Sequence, residues 1–234
     1  MKISILRISD FNLVNVDKLI KYISLEKQTR VSKFLKRQDK IRGILGELLI
    51  RKMLVDEFNI NNDYIIFSHN KYGKPYLPNR KDIYFNISHS GEYVVGAVDI
   101  KPIGIDIEEV KDIDFLEIVK SFFSKAENEY ILESNKGYYI EKQKERFYEI
   151  WTLKESFVKC IGKGLNMDFN NFTINIHNEN NIILSNYDNS ESFSFKEINI
   201  DGYKLSICFK ENENIEDSIQ FISLQDILKY WNNN

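Results

Sequence analysis

The sequence predicts an α+β fold with two similar halves, each made of helices followed by strands. The 234 residues are 43% hydrophobic and 13% aromatic, which is typical of a globular chain and excludes disordered and collagen-like proteins. Helical periodicity is strongest at residues 39–58 and 143–160, and β-forming segments follow both stretches. No residue-level repeat accompanies this order of elements, so the lobes 1–110 and 111–234 are predicted from the pattern alone.

The first half is predicted to contain a short amphipathic helix at 16–25 and a longer helix at 39–58. The longer helix follows from apolar residues at spacings of three and four, namely Ile41, Ile44, Leu45, Leu48, Leu49, Met53 and Leu54. Gly73 and Pro75 mark a turn. Strands are predicted at 3–8, 64–67, 85–88, 93–98 and 103–108, with connections among the last three that suit tight antiparallel turns.

The second half turns helical after Val110, and its last long helix is predicted to end at Gly162 and Gly164. Strands are expected within residues 172–209, and the asparagine-rich stretches 177–181 and 185–192 are predicted loops. The predicted helices lie at 115–122, 125–132, 143–160 and 224–231.

Two widely separated cysteines, Cys160 and Cys208, indicate neither a disulfide framework nor a CxxC metal site. Arg7 and Asp10 interrupt the apolar N-terminus before a signal-peptide core forms, and no stretch reaches the ~18 to 20 apolar residues of a membrane helix. Three histidines make a histidine-rich zinc site a poor expectation. We therefore expect a cytoplasmic protein, and any metal should be a hard cation held by oxygen.

Positive charge is concentrated between Lys18 and Lys52, where eleven Lys or Arg and three Asp or Glu give a local charge of +8. The whole chain has a formal charge of -3, so the remainder is acidic. A solvated helical face explains such a run most simply. A site for a polyanion explains it as well, but the acidic remainder argues against a broad nucleic-acid surface.

The segment IGIDIE at 103–108 places two carboxylates on one face of a strand. Alternation puts Gly104, Asp106 and Glu108 on the same side, opposite three isoleucines. A like-charged pair on a central strand costs free energy unless a cation lies between the carboxylates. Mg²⁺ commonly uses oxygen ligands of this kind, whereas a solvated edge strand would tolerate the pair without any metal.

In the segment 151–165 the side chains Trp151, Glu155 and Lys159 form one stripe of a predicted helix. A Glu and a Lys four residues apart are commonly an ordinary surface pair worth about 0.2–0.5 kcal/mol. The surrounding apolar residues instead indicate a helix packed on most of its circumference, which favours a functional role for the charged pair.

The segment FNISHSG at 85–91 places Ser88 and His89 at the end of an apolar strand. Small hydroxyls and backbone amides at such a turn can hold phosphate oxygens. A histidine there is more commonly a plain surface residue. A serine hydrolase is a weaker alternative, because adjacent residues cannot form the nucleophile–base geometry and no GxSxG motif is present.

Taken in order, these motifs resemble those of the Sfp-type 4′-phosphopantetheinyl transferases. The resemblance covers most of residues 27–165 and rests on five segments, which are KYGKPYL, FNISHSGEYVVGAV, PIGIDIEEV, FFSKAE and YEIWTLKESFVKCIGKGL. It implies two lobes related by a pseudo-twofold axis, with the active site between them. It also implies transfer of the phosphopantetheine group of coenzyme A to a serine of an acyl or peptidyl carrier protein, with release of 3′,5′-ADP.

The resemblance also implies roles for individual residues. Mg²⁺ would be held by Asp106, Glu108 and Glu155, and Lys159 would contact the pyrophosphate and assist the leaving group. Glu155, directly or through a metal-bound water, is the candidate base for the serine hydroxyl, a role worth roughly 10² to 10⁴ in rate. Contacts to the phosphates of coenzyme A are implied for Lys27, Arg30, Arg42, Lys74, Ser88 and His89.

Two positions depart from the family pattern. Arg30 stands where a lysine is common, which keeps the positive charge but changes its hydrogen-bonding geometry. Gly43 follows Arg42 where relatives carry a small hydroxyl, so a side-chain contact to adenine is in doubt there. Two alternatives to the transferase remain, a non-catalytic module that binds coenzyme A and a metal-dependent phosphodiesterase.

The carrier protein is expected to dock on residues 113–123, with Phe115, Leu116, Phe122 and Phe123 as apolar anchors. Packing of these side chains in the core is an equally good expectation. Half-length relatives in the wider family form trimers, so a chain with both halves is predicted to be a monomer, with no nucleic-acid or membrane partner.

Overall fold

The computed structural model describes residues 1–133, 139–164, 167–178, 181–187, 191–210 and 218–233. The helices are α1 (Val16–Leu19), α2 (Leu25–Ser32), α3 (Arg37–Phe58), α4 (Leu116–Phe122), α5 (Lys125–Leu132), α6 (Tyr139–Ile161) and α7 (Leu224–Asn233). The strands are β1 (Lys2–Arg7), β2 (Ser68–His69), β3 (Pro75–Tyr76), β4 (Tyr84–Ser90), β5 (Tyr93–Asp99), β6 (Ile103–Glu109), β7 (Thr173–Asn178), β8 (Asn181–Ser185), β9 (Phe193–Ile200), β10 (Tyr203–Lys210) and β11 (Ile219–Ser223). This mixture of helices and sheets confirms the predicted α+β class.

The chain folds into two compact units. The first unit comprises Met1–Asn70, Pro75–Lys101 and Asn214–Asn234, and the second comprises Lys71–Lys74 and Pro102–Glu213. These limits differ from the lobes 1–110 and 111–234 expected from the sequence. The difference arises from strand pairing, because β6 pairs with β10 in the second unit and β11 pairs with β1 in the first.

The first unit contains a sheet with the strand order β11-β1-β5-β4, against which α3 packs. Strand β1 is parallel to β11 and antiparallel to β5, and β4 and β5 form an antiparallel hairpin. Apolar residues of α3 that recur every three or four positions are buried, as the periodicity predicted. They meet buried residues of β1 and β5, and α7 closes the same core with Ile227 and Trp231.

The second unit contains an antiparallel sheet with the order β6-β10-β9 and a separate β7-β8 hairpin. Helix α6 packs on both β6 and β10. It ends at Ile161, where Gly162 takes a positive φ of 74° that only glycine adopts readily, as expected from the sequence. Aromatic residues fill the core around α6, with Phe147 and Phe157 each in contact with several other rings.

Two element predictions in the first half were wrong. The predicted helix at 16–25 is split into α1, a 3₁₀ turn at Ile20–Tyr22 and the start of α2. The split occurs because Ile23 is extended and the Ser24 side chain accepts from the Lys27 amide, which starts a new helix. The predicted strand at 64–67 is also absent, since Tyr64 ends a 3₁₀ turn that Asn61 caps and residues 65–67 pair with no described strand.

The connection between β5 and β6 was predicted as a tight antiparallel turn, and this was wrong as well. The two strands lie in different sheets, and the chain passes from the first unit to the second between Lys101 and Pro102. Strand β11 was not predicted at all. The predicted helices at 125–132 and 224–231 are confirmed as α5 and α7.

Parts of the asparagine-rich loops predicted at 177–181 and 185–192 lie outside the described residues, namely 179–180 and 188–190. Across the part of the chain that the structure describes, none of the helices has the length and apolar character that crossing a membrane requires.

Candidate active site

Strand β6 turns its Gly104 and Asp106 side toward helix α6. A methyl group at Gly104 would lie 2.0 Å from the Ser156 carbonyl oxygen and 2.4 Å from the Cys160 amide nitrogen, so glycine alone allows this approach. Asp106 is 2% exposed, whereas Glu108 at the end of the strand is partly exposed. The alternation predicted from the sequence therefore brings both carboxylates to the face that α6 covers.

Helix α6 carries Glu155 and Lys159 on one stripe, as its four-residue spacing predicted. The Lys159 Nζ donates a hydrogen bond to Oδ1 of Asp106 at 2.5 Å, which joins the two strongest motifs of the sequence. A second contact fixes the same helix, since the hydroxyls of Thr152 and Ser206 lie 2.8 Å apart between α6 and β10. The carboxylate face of β6 and the charged stripe of α6 thus meet in the second unit.

The charges at this meeting point affect one another. Burial raises the pKa of Glu155 to about 7, and the neighbouring carboxylates of Asp106 and Glu108 add to the rise, against the opposing effect of Lys159. Burial alone would lower the pKa of Lys159, but Asp106 outweighs it, and the pKa is raised. The negative charges of Asp106, Glu108 and Glu155 therefore repel one another, and the positive charge of Lys159 offsets this repulsion only in part.

The donor chemistry of these three carboxylates fits a hard divalent cation. Among the residues that the structure describes, no group of three acidic, histidine or cysteine side chains is close enough to form a complete cage for a metal. Mg²⁺ rarely requires such a cage, because it usually takes one or two carboxylates and completes its shell with water and substrate phosphates. Carboxylates that raise the pKa of a neighbour would be stabilised by a cation between them.

Lys74 lies beside the same helix, at the end of the loop segment Lys71–Lys74. Its Nζ donates to the backbone carbonyls of Lys159 at 2.6 Å, Cys160 at 3.2 Å and Ile103 at 3.3 Å. Burial lowers the pKa of Lys74. The ammonium thus ties the last turn of α6 to the first residue of β6, a role that the sequence did not suggest.

In the first unit, Arg42 projects from α3 to the β4–β5 turn. Its Nη1 donates to the Gly91 carbonyl at 2.7 Å and its Nη2 to Asp39 Oδ1 at 2.5 Å. Ser88 and His89 lie on β4 just before this turn; alternation leaves Ser88 buried and His89 exposed. Three of the residues predicted to contact phosphates, Arg42, Ser88 and His89, therefore lie on or beside the β4–β5 hairpin of the first unit.

Lys27 and Arg30 lie on α2, which packs against α3. Burial lowers the pKa of Lys27, and the positive charge of Arg30 adds to the effect. A Cβ at Gly43 would lie 3.0 Å from Val31 Cγ1 and 3.7 Å from Lys27 Cε. The glycine that departs from the family pattern therefore lets the two helices approach closely, with the stem of Lys27 beside it.

A buried ion pair between α5 and α6 in the second unit was not predicted from the sequence. Lys154 and Glu127 are both 0% exposed, and Lys154 Nζ lies 2.6 Å from Glu127 Oε1 and 2.8 Å from the Phe172 carbonyl. Glu127 also accepts from the amides of Ser124 and Ile174. Both residues stand inside quoted motifs, FFSKAE and WTLKES, and a charged residue on the apolar side of a helix was the available signal.

The expected carrier-docking segment is partly core. Phe115 and Phe123 are each 3% exposed and pack against Phe147, so two of the four proposed anchors are buried. Leu116 and Phe122 of α4 are 38% and 51% exposed. An apolar surface is therefore available at this helix, but it is smaller than the sequence suggested.

Comparison with known proteins gives consistent matches over nearly all of the chain. A model of the 4′-phosphopantetheinyl transferase superfamily matches residues 102–208, and a model of the N-terminal part of 4′-phosphopantetheinyl transferases matches residues 13–101. The boundary between the matches coincides with the passage from Lys101 to Pro102 between the two units.

Similar whole proteins include 4′-phosphopantetheinyl transferase Sfp of Bacillus subtilis (strain 168), which is 36% identical over 91% of this chain and 92% of that protein. The 4′-phosphopantetheinyl transferase gsp of Aneurinibacillus migulanus is 39% identical over 88% of this chain and 84% of that protein. A solved holo-(acyl-carrier-protein) synthase from Bacillus anthracis str. Ames covers 48% of this chain and 96% of its own at 17% identity, with a TM-score of 0.40.

Proposed function

Because the chain belongs to the Sfp type of the 4′-phosphopantetheinyl transferase superfamily, we propose that it transfers 4′-phosphopantetheine from coenzyme A to a serine of an apo carrier protein. We further propose that the reaction depends on Mg²⁺ and releases 3′,5′-ADP. The observation that supports these finer points is the contact between Lys159 and Asp106, with Glu155 on the same helical stripe.

The proposed reaction assigns a role to each of the candidate site residues in the second unit. The serine oxygen forms a bond to the β-phosphorus of coenzyme A, and the bond from that phosphorus to the bridging oxygen breaks. Glu155 receives the serine proton at a carboxylate oxygen, and Lys159 balances the charge on the departing 3′,5′-ADP. Asp106, Glu108 and Glu155 are the carboxylates proposed for Mg²⁺, of which one or two would hold it together with water and substrate phosphates, and the cation would supply positive charge to the pyrophosphate.

Residues of the first unit are proposed to hold the phosphates of coenzyme A. The grouping of Arg42, Ser88 and His89 near the β4–β5 turn supports this proposal, as does the pair Lys27 and Arg30. The three Lys and Arg residues of this set come from the segment 18–52, whose local charge is +8. The resemblance assigns Lys74 the same role, while its three carbonyl contacts support a positioning role.

The test is to incubate the protein with coenzyme A, Mg²⁺ and several apo carrier proteins and to weigh the carriers by mass spectrometry. We expect one carrier class to gain the mass of phosphopantetheine, with 3′,5′-ADP appearing in equal amount. A chelator should stop the reaction, and added Mg²⁺ should restore it. No gain on any carrier would contradict transfer, and coenzyme A hydrolysis without a carrier would favour the phosphodiesterase.

The variant Lys159→Met removes the ammonium that contacts Asp106. We expect transfer to fall by about 100-fold or more, because this charge is needed as the leaving group departs. Lys163→Met, which removes an exposed lysine just after α6, is the matched control and should keep its rate. Normal transfer by Lys159→Met would contradict the assigned role.

Carrier docking is proposed at the exposed side of α4, because Leu116 and Phe122 form an apolar surface there. We expect Phe122→Ser to raise KM for the carrier several-fold without changing KM for coenzyme A. Phe221→Ser, at a still more exposed phenylalanine of β11 in the first unit, is the control. Equal effects of the two changes would contradict a specific docking site.

A further inference from the structure

Helix α6 carries a buried charge that the proposed reaction does not use. Lys154 lies immediately before Glu155 and is 0% exposed, as is its partner Glu127 of α5. The Nζ of Lys154 donates to Oε1 of Glu127 at 2.6 Å and to the Phe172 carbonyl at 2.8 Å. These hydrogen bonds connect α6 to α5 and to the residue that precedes β7.

The carboxylate of Glu127 receives three donors. Besides the ammonium of Lys154, the amide of Ile174 donates to Oε1 at 2.8 Å, and the amide of Ser124 donates to Oε2 at 2.8 Å. Ser124 caps α5, and Ile174 belongs to β7. One carboxylate therefore joins the N-terminus of α5, the start of β7 and the second half of α6 through charge-assisted hydrogen bonds.

Aromatic rings surround the ammonium of Lys154. Its Nζ lies 4.0 Å from the centroid of the Phe172 ring, 5.7 Å from that of Phe169 and 5.9 Å from that of Phe123. The face of an aromatic ring attracts a cation at such distances. The ammonium is thus held by a carboxylate, a carbonyl and ring faces from several segments of the second unit.

Stability alone does not account for this pair. Burial lowers the pKa of Lys154 although Glu127 opposes the fall, so the partner does not fully compensate the ammonium for the loss of water. Well-packed apolar side chains in place of a buried ion pair often give equal or greater stability. Unlike apolar side chains, the hydrogen-bonded pair defines a direction and a distance between the elements that it joins.

The position of Lys154 bears on the residues that follow it in α6. At 3.6 residues per turn, Glu155 lies about 100° and Lys159 about 140° around the helix axis from Lys154. A rotation of α6 would therefore move the Nζ of Lys159 relative to Oδ1 of Asp106, to which it donates at 2.5 Å. A displacement of about 1 Å at a reacting group can cost about 100-fold in rate.

We propose that Lys154 and Glu127 are positioning residues for the transfer reaction. The pair sets the orientation of α6 about its axis, and this aligns Glu155 and Lys159 with the carboxylate of Asp106. The inference rests on the proposed function and deepens it. It predicts that removal of both charges impairs transfer even where the stability of the fold is largely kept.

Two variants separate positioning from stability. Lys154→Met leaves the carboxylate of Glu127 buried without its cation, so we expect a lower urea midpoint. Lys154→Met combined with Glu127→Gln removes both charges and keeps a side-chain oxygen for the backbone amides, so it should regain at least about half of the lost midpoint. In this double variant kcat should stay about tenfold or more below the wild-type value, while the calorimetric Kd for coenzyme A changes less than about threefold.

Tyr130→Phe is the matched control, because the Tyr130 hydroxyl donates to Glu149 Oε2 at 2.6 Å and so also joins α5 to α6. It should keep the wild-type kcat, since Glu149 lies more than one helical turn before Glu155. An equal loss of kcat in Tyr130→Phe and the double variant would overturn the proposal, because any contact between the two helices would then serve as well.

The double variant gives the decisive result if it folds. Wild-type kcat in the folded double variant would overturn the proposal. If it does not fold, Glu127→Asp decides, because it keeps both charges and withdraws the carboxylate by one methylene group; we expect lower kcat, and wild-type kcat would overturn the proposal. Transfer by the wild-type chain and the double variant alike would leave the proposed function intact, whereas no transfer by the wild-type chain would overturn both.

Discussion

Lys159, Lys154 and Lys74 of the second unit lie near the candidate site, and the ammonium group of each is held by different acceptors. Lys159 donates to the carboxylate of Asp106, Lys154 donates to the carboxylate of Glu127, and Lys74 donates to backbone carbonyls. Burial lowers the pKa of both Lys74 and Lys154, although Glu127 opposes the fall at Lys154. Of these three lysines, Lys159 has a raised pKa because the carboxylate of Asp106 outweighs burial, and this favours the charged ammonium that the proposed role requires.

Replacing Lys74 with methionine keeps most of the length of the side chain and removes its donors. We expect kcat for transfer to fall about tenfold or more, while KM for coenzyme A changes less than about twofold. The reason is that the last turn of α6 loses its tie to β6, and Lys159 then loses its alignment with Asp106. Steady-state kinetics with varied coenzyme A measure both constants.

Lys71→Met is the control for this change, because Lys71 is an exposed lysine in the same loop segment. It should keep both constants. A raised KM with unchanged kcat in Lys74→Met would contradict the positioning role and would identify Lys74 as a direct contact of a coenzyme A phosphate, as the family resemblance implies.

Among the elements, β6 and α6 determine the candidate site because their backbones nearly touch. The contact at Gly104 leaves no room for a side chain, and the Thr152–Ser206 hydrogen bond fixes α6 on β10 next to it. The Lys154–Glu127 pair then joins α6 to α5 and to Ile174 of β7. Removing one partner of such a buried pair typically costs about 3–5 kcal/mol, so these contacts also stabilise the unit.

Gly104→Ala tests the β6–α6 contact. We expect a loss of at least about 1–3 kcal/mol in the free energy of unfolding and a near-complete loss of transfer. The added methyl group meets backbone atoms of Ser156 and Cys160, which can move only if the helix moves. Urea denaturation measures the first quantity, and the carrier mass assay measures the second.

Gly43→Ala is the matched control, because the atom nearest to its added methyl group belongs to the Val31 side chain. Alanine also favours a helix over glycine, so we expect a change within about 1 kcal/mol. Equal stability losses in the two variants would show that the space at Gly104 is no more restricted than the space at Gly43.

At the scale of the whole molecule, all four residues proposed to act at the pyrophosphate belong to one unit of one chain. The predicted lobes had divided them, with Asp106 and Glu108 in one lobe and Glu155 and Lys159 in the other. The structure places them together, because β6 pairs with β10 in the unit that contains α6. No second copy of the chain is needed to supply these residues.

We therefore expect the protein to be a monomer. Light scattering should give a mass near 27.7 kDa over a wide range of protein concentrations, with or without coenzyme A. The physical reason is that the residues assigned to transfer are supplied in full by one chain. A mass two or three times larger would contradict this expectation.

Elements that depend on local residue patterns were predicted correctly from the sequence. Predictions that depend on contacts with distant segments were wrong or left open. The periodicity of residues 39–58 sufficed for α3, and alternation sufficed for the facing of Asp106. Residues 64–67 have strand-forming composition but no neighbouring strand among the described residues, so they remain extended chain after a 3₁₀ turn. The sequence left open whether Phe115 is buried or exposed, because its burial depends on Phe147 of a later helix.

In the candidate site, too, local patterns were predictable and contacts with distant segments were not. Asp106, Glu155 and Lys159 were found from spacing and motif, whereas the contacts of Lys74 were not, since its acceptors are backbone carbonyls that have no sequence signature.

The parallel pairing of β1 with β11 has a consequence for the synthesis of the chain. Ile3 pairs with Ile219 and Leu6 with Ile222, so one edge of β1 stays open until residues 219–223 have been synthesised. The whole segment Pro102–Glu213 can fold in the meantime, since its sheet contains only its own strands. An apolar strand with a free edge is prone to mispairing with other chains. Slow translation of residues 219–223, or their removal, should therefore increase aggregation of the nascent protein before it affects the part that carries Asp106 and Lys159.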